Sequence, residues 1–181
     1  MTTEGIVDYT SLGKRNVTVF LCKRNHLALY GQQVASIVRR CTKTISKCFV
    51  DSTIQDLLKK SAAVRENAYS PYSKFKVGAA ILCVDGTMYT GCNVENASYP
   101  VGTCAERAAI AKAVSEGKTK FKALTVVADK KNNAFTAPCG FCRQAIVEFG
   151  EVPIYLCGPD MKTVFRTNIS SLLQHYCNSF V

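Results

Sequence analysis

Hydrophobic and polar positions are well ordered from Asp51 onward. Asp51, Ser52 and Thr53 offer caps to a helix running to about Asn67, with Ile54, Leu57, Leu58, Ala62 and Val64 on its buried side. Ser70-Pro71-Tyr72-Ser73 breaks that helix. Phe75 to Val84 then reads as a strand, Asp85-Gly86 as a hairpin turn, and Met88 to Val94 as the antiparallel partner. A second helix spans about Cys104 to Glu116 and stops at Gly117; Phe121 to Ala128 follows as a buried strand. A third helix covers about Phe141 to Phe149 and ends at Gly150. Val152 to Cys157 and Lys162 to Arg166 read as strands, and Ile169 to Tyr176 as a last helix. A hairpin followed by alternating helices and strands predicts an α/β fold, a single three-layer α/β/α domain around a mixed five-stranded sheet.

The first 50 residues follow no such grammar. Val17 to Cys22 carries a strand pattern, and Ser36 to Phe49 reads as a short cationic helix with Ile37, Val38, Cys41, Ile45 and Cys48 as its apolar stripe. Residues 1–50 therefore read as a basic N-terminal extension, and residues 51–181 as the folded domain that carries the candidate chemistry. Charge separates the two parts as well. The extension holds eight Lys and Arg against two acids, a balance of +6; the remainder holds 15 against 11, only +4 of the total +10. A basic segment suits nucleic acid or an anionic membrane surface, and equally a solvated arm with no partner.

The chain has 181 residues, 48% of them hydrophobic, which supports one compact core and leaves little room for a second domain. No run of about 18 apolar residues predicts a membrane span. Met1 to Thr10 lacks the basic-then-apolar pattern of a secretory signal, so a cytoplasmic location is expected. The basic bias leaves organelle targeting open, with Glu4 and Asp8 counting against it. Ten cysteines in such a chain point to metal ligands and buried thiols rather than disulfides. Cys83 and Cys157 lie in apolar runs and read as core residues, while Cys22, Cys41, Cys48 and Cys177 have no metal-like partner at close spacing.

Thr103-Cys104-Ala105-Glu106 and Pro138-Cys139-Gly140-Phe141-Cys142 place three thiols and a carboxylate at the starts of two helices. Helix N-termini stabilise thiolate, the form that zinc binds. Residues two apart on a helix are rotated by roughly 200°, so Cys104 and Glu106 converge only if Cys104 is a cap or the first helical residue, with Thr103 before it as a capping residue. Three protein ligands leave a fourth tetrahedral position open, the arrangement of a catalytic zinc, with Glu106 beside it as a proton carrier. Three thiolates around Zn²⁺ leave a formal charge of −1, and Arg107 is the nearest compensator through hydrogen bonds to sulfur. The competing reading is a structural four-ligand site, with Cys92 as the best fourth ligand. A thioredoxin-like redox site fits neither the residues within Cys139 to Cys142 nor their position after a proline loop.

These two motifs, with Pro71-Tyr72-Ser73-Lys74-Phe75-Lys76-Val77-Gly78-Ala79-Ala80 and Gly91-Cys92-Asn93-Val94-Glu95-Asn96-Ala97-Ser98-Tyr99-Pro100, resemble the small homotetrameric cytidine deaminases, in the family's order and over about residues 51 to 173. The resemblance implies one Zn²⁺ per subunit on Cys104, Cys139 and Cys142, with Glu106 as proton shuttle. It implies a nucleoside site formed by Phe75, stacking on the pyrimidine, and by Asn93, Val94, Glu95, Asn96, Ala97, Ser98, Tyr99 and Ala105. Asn93 and Glu95 would bind the ribose hydroxyls, and alternate strand positions give them a common face independently. Arg107 would support the thiolates; Tyr72 and Tyr99 would line sites shared between subunits of a homotetramer. The implied activity is hydrolysis of cytidine and deoxycytidine to the uridine forms in pyrimidine salvage, with no membrane or nucleic-acid partner. A deaminase acting on DNA or RNA needs a basic groove with interleaved aromatics, which the mildly basic motif region lacks. A non-catalytic zinc module would give Glu106 no role. Where family members often end in Leu-Leu-Pro and a reaching Phe, this tail reads Leu172-Leu173-Gln174 and on to Phe180. His26 and His175 lie outside every ligand motif.

Overall fold

The computed structural model describes the backbone of residues 43–46 together with residues 50–130 and 134–173. In chain order the elements are β1 (Lys43–Ser46), α1 (Ser52–Arg65), β2 (Val77–Cys83), β3 (Met88–Cys92), a 3₁₀ turn (Tyr99–Val101), α2 (Ala105–Ser115), β4 (Phe121–Ala128), α3 (Gly140–Val147), β5 (Pro153–Cys157), β6 (Thr163–Asn168) and α4 (Ile169–Leu172). The strands form one sheet in the order β1-β6-β5-β4-β2-β3. Only β4 and β5 are parallel, because α3 carries the chain back across the sheet between them; every other pair is antiparallel. The five strands expected after Asp51 are all present, between helices on both faces.

Alternation along the strands sorts two cores. Ala79, Ile81, Leu124, Val126, Ile154 and Leu156 pack with Ala105, Ala109, Ile110, Cys142 and Ile146 on the α2/α3 side. Ala80, Leu82, Ala123, Val127 and Cys157 pack with Ile54, Leu57 and Leu58 of α1 on the other. Cys83 and Cys157 are buried, as their apolar neighbours predict. The hairpin is thinned so that helix backbones touch it from both sides. A Cβ at Gly78 would collide with Ser61 O and lie 2.7 Å from Arg65 N; one at Gly91 would lie 2.5 Å from Ala105 O and collide with Ala109 N. Gly91 thereby sets α2, and the residues at its start, directly on β3.

The extension departs from its reading. Lys43–Ser46 is a strand, not part of a cationic helix spanning Ser36 to Phe49, and pairs antiparallel with β6 from Lys43↔Arg166 to Ser46↔Thr163. The unpaired edge of β6 offers a ladder of backbone partners, and β-branched Thr44 and Ile45 suit it. The sheet thus takes a strand from before Asp51. The Val17 to Cys22 strand, His26, His175 and the rest of the helix expected from Ile169 to Tyr176 lie outside the described residues, as does Phe180. Among the described residues, no helix is long and apolar enough to cross a membrane.

Candidate active site

Two helix starts build the centre. Cys104 has extended backbone (φ −76°, ψ 154°) and is itself the N-cap of α2, so the cap falls on Cys104 and not on Thr103. Thr103 instead exchanges backbone hydrogen bonds with Val94, 2.9 Å each way. Cys139 is likewise the N-cap of α3 (φ −69°, ψ 171°), one residue earlier than the pattern predicts, which puts Cys142 in the first turn. Neither cysteine side chain caps its own helix, so both thiols remain available while the first-turn amides keep their positive ends at the site.

The sulfurs of Cys104, Cys139 and Cys142 lie within 4.8 Å of one another, and Cys104 Sγ is 3.8 Å from Cys139 Sγ. Two thiolates on one tetrahedral zinc, each at about 2.3 Å, stand about 3.8 Å apart, so the spacing fits the ion. Among the described residues, the cluster has three members and does not include Cys92, which favours the open arrangement over a closed four-ligand site. Cys142 is fully buried and Cys139 exposed, so the cluster opens to solvent on the Cys139 side. The Cys104 thiol is held down at about 5, chiefly by its hydrogen bond with Cys142, with Cys139 and Arg107 adding to the effect. The same hydrogen bond pushes the Cys142 thiol up.

Glu106 follows Cys104 by two residues and is only 4% exposed. Burial, reinforced by the Cys104 thiolate, raises its carboxyl above the usual range. A carboxyl that holds a proton more readily is suited to passing one on. Arg107 donates from Nη2 to Gly102 O at 3.1 Å, and its charge favours the Cys104 thiolate. Its guanidinium also lies 5.9 Å from the ring of Phe141, which is 80% exposed. Sequence reading gave Phe141 no role; nothing in its spacing marks an aromatic placed between two ligands.

Beyond β3 the chain runs past the start of α2. Val94 bridges Tyr69 on one side and Thr103 on the other, which brings the Asn93–Glu95 segment beside Cys104. Asn93 and Glu95 are both engaged by their own chain. Asn93 Oδ1 accepts from Val77 N at 2.7 Å and its Nδ2 donates to Phe75 O at 2.9 Å. Glu95 Oε2 accepts from Tyr72 N (2.9 Å) and Ser73 N (3.2 Å), and Oε1 accepts from the Ser73 hydroxyl. Phe75 is half-buried, while Tyr72 and Tyr99 are exposed. Asn96, Ala97 and Ser98 form an exposed loop, closed by Ser98 N donating to Asn96 Oδ1 at 2.8 Å. Ala105 is fully buried at the base of α2.

Arg143 was not marked by its spacing either, since it acts through backbone. It donates from Nε to Pro138 O at 2.7 Å and from Nη1 to Leu172 O at 2.6 Å, tying the loop before Cys139 to the end of α4.

Known proteins agree with this geometry. A family model described as the cytidine and deoxycytidylate deaminase zinc-binding region matches residues 51–157. The cytidine deaminase of Sporosarcina psychrophila is 54% identical over 105 residues, 57% of this chain and 76% of that protein. A probable cytidine deaminase of Dictyostelium discoideum is 45% identical over 123 residues, 66% of this chain and 82% of its own length. The crystal structure of cytidine deaminase from Burkholderia pseudomallei superposes with a TM-score of 0.64 at 40% identity, covering 68% of this chain and 98% of that one. With three cysteines at ligand spacing, a buried glutamate beside them and relatives along most of its described length, the chain is an enzyme belonging to the family of cytidine and deoxycytidylate deaminases.

Proposed function

We propose that this enzyme hydrolyses cytidine and 2′-deoxycytidine to uridine and 2′-deoxyuridine with release of ammonia, in pyrimidine salvage in the cytoplasm. Each subunit holds one zinc ion on Cys104, Cys139 and Cys142, and four subunits share their sites through residues such as Tyr72 and Tyr99. The observation that carries the reading is Glu106, nearly fully buried beside a three-sulfur cluster open to solvent on one side. Zinc, when bound there, supplies the Lewis-acid charge that makes water nucleophilic at neutral pH.

The residues supply the rest. Glu106 takes a proton from the attacking water and passes it to N3 of the base as C4 becomes tetrahedral; it then takes the proton left on the new C4 hydroxyl and gives it to the amino group, which leaves as ammonia as the C4 carbonyl forms. Phe75 stacks on the pyrimidine, and the backbone near Ala105 reads its amino-bearing edge. The sugar is read by what Asn93 and Glu95 have left over. An ionised carboxylate offers about four acceptor positions, of which three are filled, leaving one on Oε1; the Asn93 amide has used one of its two N–H donors. Among the described residues nothing else occupies them. One acceptor and one donor match a single hydroxyl, the 3′-OH that both nucleosides carry, which supports acceptance of ribose and deoxyribose alike.

The test is ultraviolet-monitored conversion of cytidine by the purified protein, beside Glu106→Gln, with metal analysis of both. The variant is expected to keep its zinc and lose about 10²–10⁴-fold in kcat. A wild-type protein that binds zinc but turns over neither nucleoside would overturn the assignment.

A further inference from the structure

The turn between α1 and β2 carries a second layer of organisation that the proposed chemistry does not use directly. Ser73 lies at its centre. Its hydroxyl donates to Glu95 Oε1 and accepts from Phe75 N at 3.0 Å. The peptide of Phe75 is therefore gripped at both ends, its N–H by Ser73 and its C=O by Asn93 Nδ2 at 2.9 Å. The next amide, Val77 N, is held by Asn93 Oδ1. Glu95 in turn clasps the turn through Tyr72 N and Ser73 N. The backbone needs that grip, because Lys74, between Ser73 and Phe75, has φ 57°, the left-handed region that a lysine enters only when its surroundings hold it there.

From this we propose that Ser73 is a positioning residue for sugar recognition, its hydroxyl coupling the Glu95 carboxylate to the backbone of the ring that stacks on the base. The inference rests on the proposed sugar-reading role of Glu95. A carboxylate held only by the two amides on Oε2 can swing about its terminal torsion; the Ser73 hydroxyl fixes Oε1, the oxygen with the unfilled acceptor position. Removing the hydroxyl releases Oε1 from the turn and frees the Phe75 amide at the same time. Ser73 touches neither the thiol cluster nor Glu106 by any hydrogen bond in the structure, so the loss falls on binding and not on the chemical step.

The experiment uses the full-length zinc enzyme and compares wild type, Ser73→Ala, Ser73→Thr and Glu95→Gln on cytidine and on 3′-deoxycytidine, with melting temperatures as a check on folding. Ser73→Ala is expected to raise KM for cytidine about tenfold with kcat within about twofold, the scale of one charge-assisted hydrogen bond. Ser73→Thr, which keeps the hydroxyl, is expected to restore KM. On 3′-deoxycytidine, Ser73→Ala is expected to raise KM by about twofold or less, because the hydroxyl that Glu95 receives is gone and only the freed Phe75 amide still weakens binding. A purely structural role for Ser73 would raise KM equally on both substrates, and that result overturns the proposal, as does an unchanged KM for cytidine in Ser73→Ala when Glu95→Gln raises it. If Glu95→Gln itself leaves KM unchanged, the sugar-reading role has failed and takes this inference with it.

Discussion

Glu95 illustrates what a single side chain carries in this fold. The Ser73 hydroxyl first, and the Tyr72 and Ser73 amides after it, hold its carboxyl below the ordinary value of 4.5. A depressed folded-state value has a definite sign: the interaction is fully present above the unfolded value and is lost as pH falls through the lower folded one. KM for cytidine is therefore expected to stay flat from neutrality to about pH 5 and to rise only below that. A pH series of steady-state measurements checks this, and a KM already climbing between pH 7 and 6 would contradict it. At this scale the sequence was half legible. Cys104, Cys139, Cys142 and Glu106 declared themselves because their chemistry depends on short spacings along one chain. The pairing of Asn93 with Phe75 and of Ser73 with Glu95 did not, because it arises only when residues about twenty positions apart are brought together by the hairpin.

Among elements, the positions of the helix starts matter more than their lengths. Cys104 and Glu106 reach one place because Cys104 is extended and Glu106 lies in the first turn, as their two-residue spacing requires. What holds that start against the sheet is Gly91, a residue that reads in sequence only as part of a strand. Gly91→Ala is expected to cost about 1–3 kcal/mol, since the new methyl meets backbone on α2 and not a movable side chain. Gly140 is the contrast. It lies between two ligands, yet a Cβ there meets nothing within 4 Å and its backbone is not left-handed, so Gly140→Ala is expected to change stability by less than about 0.5 kcal/mol. Chemical denaturation of the two variants checks both. The chain after Asp51 was readable as elements because Gly86, Gly117 and Gly150, all with positive φ, mark real turns. The helix reading of Ser36 to Phe49 failed because β1 owes its form to the open edge of β6, more than a hundred residues away, which no local periodicity reveals.

For the molecule as a whole, zinc bound as proposed to the starts of α2 and α3 would be a fastening between chain segments 35 residues apart. An ion bound by the folded chain alone stabilises it by mass action, about 2.7 kcal/mol at a hundredfold excess over its Kd. Stripping zinc with a chelator is accordingly expected to lower Tm by several degrees, and adding zinc back to restore it. Scanning calorimetry on the stripped and reloaded protein tests this, and equal melting of the two forms would separate the cluster from the stability of the fold. The two cores explain why such a fastening matters: α2 and α3 share one face of the sheet, while α1 covers the other.

Arg143 gives this architecture a mechanical side. One guanidinium grips the carbonyl before Cys139 and the carbonyl of Leu172, so tension applied beyond α4 is delivered to the start of α3, which carries two of the three sulfurs. A handle, label or fusion attached past Leu172 pulls on the reaction centre through this guanidinium as well as through the packing of α4. β1 lies at the far edge of the sheet from β3 and α2, so tension on that strand enters the fold away from the centre.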